Sequence, residues 1–227
     1  YLTDLLCYAL TREGFDVLIA HAGSDALRLL RGTNLDLVIL DVNMPDMNGF
    51  KVLSSLRTFS QVPVMMLTAR GQDEDVIAGF QQGADDYVTK PFSMHVLVNR
   101  VKAMLRREMQ HPHKAVDETR LHPLQGGALF DTAVNELVGY GDVRIALTPT
   151  EGRILDLLLL HEGQVLSAER IMERIWGYDS ESDVNVIKTH IRHIRIKLSS
   201  LPGHPRVINT LPGLGYVVHN VRDSSAS

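Results

Sequence analysis

Residues 35–49 read LDLVILDVNMPDMNG, and this stretch decides the fold. Five of the six residues before Asp41 are apolar (Leu35, Leu37, Val38, Ile39 and Leu40), which is the composition of a strand in a parallel sheet covered on both faces. The apolar run stops at Asp41, and Pro45 and Gly49 turn the following segment into a loop. A carboxylate at the carboxyl end of such a strand stands where open α/β sheets place their ligands. A strand-end Asp also serves as a simple cap for the next turn, so Asp41 alone leaves both readings open.

Two further segments bear on that choice. Residues 64–68 (VMMLT) read as a second buried strand ending on the hydroxyl of Thr68, and residues 86–91 (DYVTKP) as a third ending on Lys90 before a proline. Between and around them the spacing predicts helices over 2–13, 24–31, 49–57, 75–82 and 93–107, and a strand over 15–20. Alternating strands and helices imply a doubly wound α/β domain, which brings an Asp, a Thr and a Lys to one sheet edge.

With DxxMPxxxG at 41–49 and GADDY at 83–87, the order and spacing of these residues resemble the receiver domain of two-component response regulators, over residues 1–107. The resemblance implies a flavodoxin-like sheet, with phosphorylation by a sensor histidine kinase. A carboxylate can be the nucleophile toward a phosphoryl group if cations offset the charge, and Asp41 is then the phosphoacceptor. The resemblance further implies that Lys90 pairs with phosphoryl oxygens, that Thr68 hydrogen-bonds one of them, and that Tyr87 turns inward with Thr68 as the switch. It also implies Mg²⁺ as cofactor, held by Asp41 and the main-chain carbonyl of Asn43, since Mg²⁺ demands hard oxygen ligands. The remaining acidic ligands are expected on a first, central strand preceding Tyr1.

In the family, receivers pair two-fold on phosphorylation through a charged face, which maps here to Val76, Ala78, Asp85, Asp86, Val96 and Arg100. Val76 or Ala78 stands where a basic residue is usual and Val96 where a glutamate is usual, so part of the expected charge pairing has become apolar.

Beyond 107 the pattern dissolves into a linker over 108–123, with two X-Pro units, scattered charge and exposed His111 and His113. Short strands are then predicted over 128–131, 136–138 and 143–147. Thr148, Pro149 and Glu151 compose a capping box that opens a helix to about 161. Ser167 caps a second helix to about 177, a third runs over 184–199, and VINTLPGLGYVV closes as a β-hairpin with Pro212, Gly213 and Gly215 at its tip. This order resembles the winged-helix domain of OmpR/PhoB-type regulators over 124–220, leaving 221–227 as a tail.

Projected at about 100° per residue, Ile187, Ile191, Ile194 and Leu198 form one apolar stripe of the third helix. Asn185, Lys188, Thr189 and Arg192 point the other way, with His193 at the margin; these, with Arg195 and Gly213 of the wing, are the expected DNA contacts. An apolar back with a polar, cationic front suits a major-groove helix, because base edges are read by hydrogen bonds and phosphates by charge.

Net charge is −4, yet residues 124–183 carry 4 basic against 11 acidic side chains, whereas 184–207 carry 5 basic and none acidic. That asymmetry gives one face suited to a polyanion. The sequence departs from the family at Gly152 (usually aromatic), Pro212 (usually an arginine at the wing tip) and Lys188 (usually acidic). Cys7 alone excludes an internal disulfide, zinc-finger spacing is absent, and no apolar run approaches the ~18 residues of a membrane span.

The sequence thus predicts a cytoplasmic, phosphorylation-regulated transcription factor that binds double-stranded promoter DNA as a homodimer, possesses no enzymatic turnover and has RNA polymerase as a further partner. Three alternatives remain at this level. One is a receiver regulated without phosphorylation, another a protein-binding adaptor. The third is an Asp-nucleophile phosphohydrolase, which needs a second carboxylate where Asn43 stands.

Overall fold

The computed structural model describes residues 2–69, 83–109, 121–177 and 185–219. They belong to two compact units, Tyr1–Met109 and Gln110–Ser227.

In the first unit the elements run α1 (Leu2–Arg12), α2 (Gly23–Gly32), β1 (Val38–Asp41), α3 (Gly49–Arg57), β2 (Val64–Ala69), β3 (Asp86–Lys90) and α4 (Met94–Met109). The three strands form a parallel sheet in the order β1-β2-β3. Val64, Met65, Met66 and Leu67 are buried, as a strand covered on both faces must be. Leu10 of α1 and Leu97, Val98, Val101 and Met104 of α4 pack on Met65, Leu67 and Val88. The ladder pairs Asp41 with Leu67, Thr68 with Thr89 and Ala69 with Lys90, so Asp41 and Lys90 end their strands as expected, whereas β2 runs one residue past Thr68 to Ala69, and all three lie along the same carboxyl edge.

The strand expected over 15–20 does not form: the segment joins no ladder among the described residues, and Leu18 and Ile19 are exposed. A strand exists only through a hydrogen-bonded neighbour, and among the described residues none lies beside it. The helix expected over 75–82 lies outside the described residues.

The second unit contains β4 (Leu121–Pro123), β5 (Leu129–Asp131), β6 (Glu136–Gly139), β7 (Val143–Ala146), α5 (Pro149–Leu160), α6 (Ala168–Trp176), α7 (Asn185–Ser199), β8 (Ile208–Leu211) and β9 (Gly215–Val218). β4 to β7 form an antiparallel meander, and β8 and β9 the closing hairpin. The expected linker is too long at both ends. α4 continues to Met109, and Leu121–Pro123 pairs with Leu129–Asp131, a strand too short and too polar to show periodicity.

The capping box is present as expected: Thr148 Oγ1 accepts from Glu151 N at 3.4 Å, and Thr148 N donates to Glu151 Oε2 at 2.8 Å. The glycine that replaces the usual aromatic residue has a local reason, because a Cβ on Gly152 would lie 2.2 Å from Asn135 Oδ1. Asn135 fills the space, held in the left-handed region at φ 53° with its carbonyl accepting from Leu147 N. Ile187, Ile191, Ile194 and Leu198 are all buried, so the stripe read from periodicity is the one that packs α7 into the core.

Candidate functional site

The loop after β1 is fastened at several points. Val42 N donates to Leu67 O, continuing the ladder past Asp41, and Gly49 N donates back to Val42 O, both at 2.9 Å. Asn48 Oδ1 caps α3 by accepting from Phe50 N at 2.8 Å. Asp46 caps α2, its carboxylate accepting from Gly23 N at 2.7 Å and Ser24 N at 3.0 Å. The Ser24 bond, followed by that of Gly23, holds the Asp46 carboxyl down at about 2. A sequence reading that stopped at Asp41 missed Asp46; its signal was a second acid at the far end of the same turn, facing a glycine-serine helix start.

Within this frame Asp41 Oδ1 accepts from Asn43 N at 3.0 Å and Oδ2 from Lys90 Nζ at 2.5 Å. The pair is nearly a third exposed on both sides, so it contributes little to stability and stays open to a ligand. Thr68 is fully buried, and among the described residues its Oγ1 has no hydrogen-bond partner. An unsatisfied buried hydroxyl costs about 1–3 kcal/mol, which an acceptor arriving at the strand ends would return. Tyr87 is buried, with its ring inward.

The expected pairing face needs correction. Asp85 is completely buried: its Oδ2 accepts from Arg57 Nη2 at 2.9 Å and from Val64 N at 3.0 Å, so it fastens α3 to β2 instead of facing a partner. Arg57 also donates to Gly83 O and Val62 O, which makes it the centre of a knot that sequence spacing did not reveal. Asp86 and Arg100 bond each other through two 3.1 Å contacts within the chain. Val96 is exposed on α4, whereas Val76 and Ala78 lie outside the described residues.

On α7, Lys188 and Arg192 are exposed one turn apart and Thr189 is half-buried between them; Asn185 opens the helix. Two other expected contacts face elsewhere. His193 is buried, its Nδ1 3.5 Å from Glu151 Oε1, because the margin of the stripe turns into the α5 interface. Arg195 donates through Nε and Nη2 to Ile208 O, and through Nη2 to Thr210 Oγ1 at 2.8 Å, clamping the hairpin to the helix. Gly213 sits exposed at the hairpin tip with φ 76°.

Glu151 was legible only as a cap. It also accepts from Lys197 Nζ at 2.7 Å, and Lys197 reaches Ala146 O as well. Burial pushes its carboxyl up, but His193, Lys197 and Thr148 N–H outweigh burial and hold it at about 2.

The model of the response regulator receiver domain matches residues 2–102, and that of the transcriptional regulatory protein C-terminal domain matches residues 142–218. Regulatory protein VanRc of Enterococcus gallinarum is 37% identical over 217 residues, covering 96% of this chain and 94% of that protein. DrrB, described as a Thermotoga maritima OmpR/PhoB homologue, is 30% identical over 94% of this chain and 92% of its own, with a TM-score of 0.46. The chain belongs to the OmpR/PhoB-type response regulators.

This response regulator is also similar to a solved RitR mutant, at 27% identity and TM-score 0.75 over 96% of this chain and 94% of that one. As a member of its family it joins a flavodoxin-like receiver to a winged-helix DNA-binding domain, so β8 and β9 are the wing. Among the described residues no helix is long and apolar enough to cross a membrane.

Proposed function

We propose that this response regulator takes a phosphoryl group on Asp41 from a sensor histidine kinase, pairs through its receiver, and binds double-stranded promoter DNA through α7 and the wing. The observation that carries this reading is the ion pair of Lys90 with Asp41 at a sheet edge that also holds the buried Thr68 hydroxyl, which has no hydrogen-bond partner among the described residues. In the reaction an Asp41 carboxylate oxygen forms a bond to phosphorus while the bond from phosphorus to the donor's imidazole nitrogen breaks. The imidazole keeps the electron pair, and an acyl phosphate results. Lys90 then follows the negative charge from the carboxylate to a phosphoryl oxygen, and Thr68 Oγ1 donates to another.

Asp41 and the Asn43 carbonyl are hard oxygen donors of the kind Mg²⁺ takes, and both stand at the open edge. Among the described residues no cluster of three acidic, histidine or cysteine side chains surrounds them, and Mg²⁺ usually keeps several waters in its shell. The ion, when bound, would offset the charge of the transferred group. Receiver pairing would use the exposed Val96 beside the Asp86–Arg100 bridge. RNA polymerase is a further expected partner.

The test is chemical labelling with acetyl phosphate or phosphoramidate and Mg²⁺. The full-length protein should be labelled once, at Asp41, and Asp41→Asn should abolish the label; persistent labelling of that variant would place the nucleophile elsewhere. For DNA, the logarithm of affinity should fall linearly with the logarithm of salt, since phosphate contacts release counterions. A flat dependence rejects the DNA reading in favour of a protein partner.

A further inference from the structure

Helix α2 starts without a cap of its own. Its N-cap residue is Ala22, whose side chain offers no acceptor, although the first N–H groups of a helix have no partner within it. The cap comes instead from the loop after β1. Asp46 Oδ1 accepts from Gly23 N at 2.7 Å and from Met47 N at 2.9 Å, while Oδ2 accepts from Ser24 N at 3.0 Å. A carboxylate suits this place, since a helix start carries partial positive charge. The seat is also shaped for the loop: a Cβ on Gly23 would run into Met47 Cγ and Val52 Cγ2, so glycine is what lets Met47 lie against the helix start. The same loop is closed at its base by Gly49 N on Val42 O, next to Asp41, and within it Asn43 N donates to Asp41 Oδ1. Residues 43–45 therefore run between two fixed points, the base at Val42 and the latch at Asp46.

From this geometry we infer that Asp46 is a positioning residue for phosphoryl transfer: by latching the loop to the first turn of α2 it fixes the main chain at Asn43, whose N–H holds the Asp41 carboxylate. This role rests on the phosphoacceptor reading above and adds a residue to it. Asp46 acts through the loop, since its own contacts lie at Gly23, Ser24 and Met47. The two oxygens of Asp41 are held from different elements. Lys90 Nζ, on the paired strand β3, holds Oδ2 and does not depend on the latch. Asn43 N, on the loop, holds Oδ1 and does. Asn43, Pro45 and Asp46 are all exposed, so packing does little to fix this turn and the hydrogen bonds of Asp46 decide its course. A nucleophile reacts fast only near its attack geometry, and a misplacement of about 1 Å costs ~100-fold in rate. Loss of the latch leaves the Lys90 side of the carboxylate in place and loosens the Asn43 side.

The experiment measures, on full-length protein, the rate of labelling by acetyl phosphate with Mg²⁺ beside a thermal unfolding curve for each variant. Asp46→Ala should slow labelling at Asp41 about 10-fold and lower the melting temperature. Asp46→Asn, which retains one acceptor oxygen, should fall between that variant and wild type in both. Ala22 has the extended backbone of an N-cap, at φ −139° and ψ 152°, so Ala22→Ser gives α2 a cap from its own start. Added to Asp46→Ala, it should restore the melting temperature and leave labelling slow. Ala26→Gly, which loosens α2 beyond the latch, is the matching control: it should lower the melting temperature and label at the wild-type rate. If Ala22→Ser restores the rate together with stability, Asp46 only caps α2 and the positioning role is refuted. Should wild-type protein take no label, or Asp41→Asn keep one, the phosphoacceptor reading itself falls and takes the role of Asp46 with it. A wild type labelled at Asp41 beside an Asp46→Ala protein of equal rate removes the positioning role alone.

Discussion

A Cβ placed on Gly49 would stand 2.2 Å from the carbonyl oxygen of Asp41, so the backbone that carries the proposed nucleophile is packed directly against the first residue of α3. That approach, together with the Gly49 N to Val42 O bond, makes the loop a closed clasp. Gly49→Ala must push the Asp41 backbone aside at a cost of about 1–3 kcal/mol. It should slow labelling by acetyl phosphate about 10- to 100-fold through misplacement of the carboxylate. Gly32→Ala is the matched control: its Cβ meets nothing within 4 Å, and at a helix end it should be neutral or stabilising by up to ~1 kcal/mol. Denaturant unfolding and a labelling time course read both effects, and equal labelling rates for the two variants would show that the clasp does not position Asp41.

The Arg57–Asp85 knot gives a second expectation. Asp85 is wholly buried, and removal of Arg57 leaves its carboxylate buried without the cation that pairs with it. Arg57→Met should destabilise the receiver by about 3–5 kcal/mol, the range for a broken buried pair, whereas an exposed bridge would lose at most ~1 kcal/mol. Replacing Asp85 by Asn should cost less, because the amide retains an acceptor for Val64 N. If either substitution left stability unchanged and altered only receiver pairing, Asp85 would be a surface residue after all.

Acid sensitivity follows from Glu151. Its folded-state carboxyl titrates at about 2, below the ordinary 4.5, so the folded form binds its proton less readily than the unfolded form. The resulting stabilisation is fully present above about pH 4.5 and is lost as pH falls toward 2; for a buried group it amounts to about 3 kcal/mol. Glu151→Gln should therefore lower the stability of the winged-helix unit at pH 7 and flatten its decline between pH 4.5 and 2. Asp46, exposed but also held near 2, adds a parallel acid dependence that this variant leaves in place. Chemical denaturation across that pH range distinguishes them, and an unchanged acid limb in Glu151→Gln would show that His193 and Lys197 do not hold the carboxylate.

What could be read from sequence was whatever repeats locally. The buried run into Asp41, the cap at Thr148 and the stripe of Ile187, Ile191, Ile194 and Leu198 each obey a period or a fixed spacing, and each is present. What could not be read depends on partners distant in sequence. The strand at 15–20 has strand composition, but a ladder partner, not composition, makes a strand. Asp85 looks like any loop carboxylate until Arg57, 28 residues earlier, folds onto it. His193 and Arg195 flank the proposed DNA-facing side of α7 by angle alone, and only Glu151 and Ile208 reveal that both are already engaged.

That last distinction yields a prediction on DNA itself. Arg192 is exposed on the face of α7 opposite the buried stripe, whereas His193 is turned onto Glu151. Arg192→Ala should weaken binding to the preferred duplex by about 1–3 kcal/mol if the guanidinium meets a base edge, and should relax specificity at one base pair only. Lys188→Ala should weaken all sequences alike and reduce the salt slope by about 1, as a phosphate contact does. His193→Ala should leave both quantities unchanged and instead lower the melting temperature, since it removes a donor from a buried carboxylate. Titrations of the three variants at several salt concentrations, each paired with a thermal unfolding curve, separate these roles. A His193→Ala protein with native stability and altered base preference would return that histidine to the groove and mean that the Glu151 contact gives way when DNA binds.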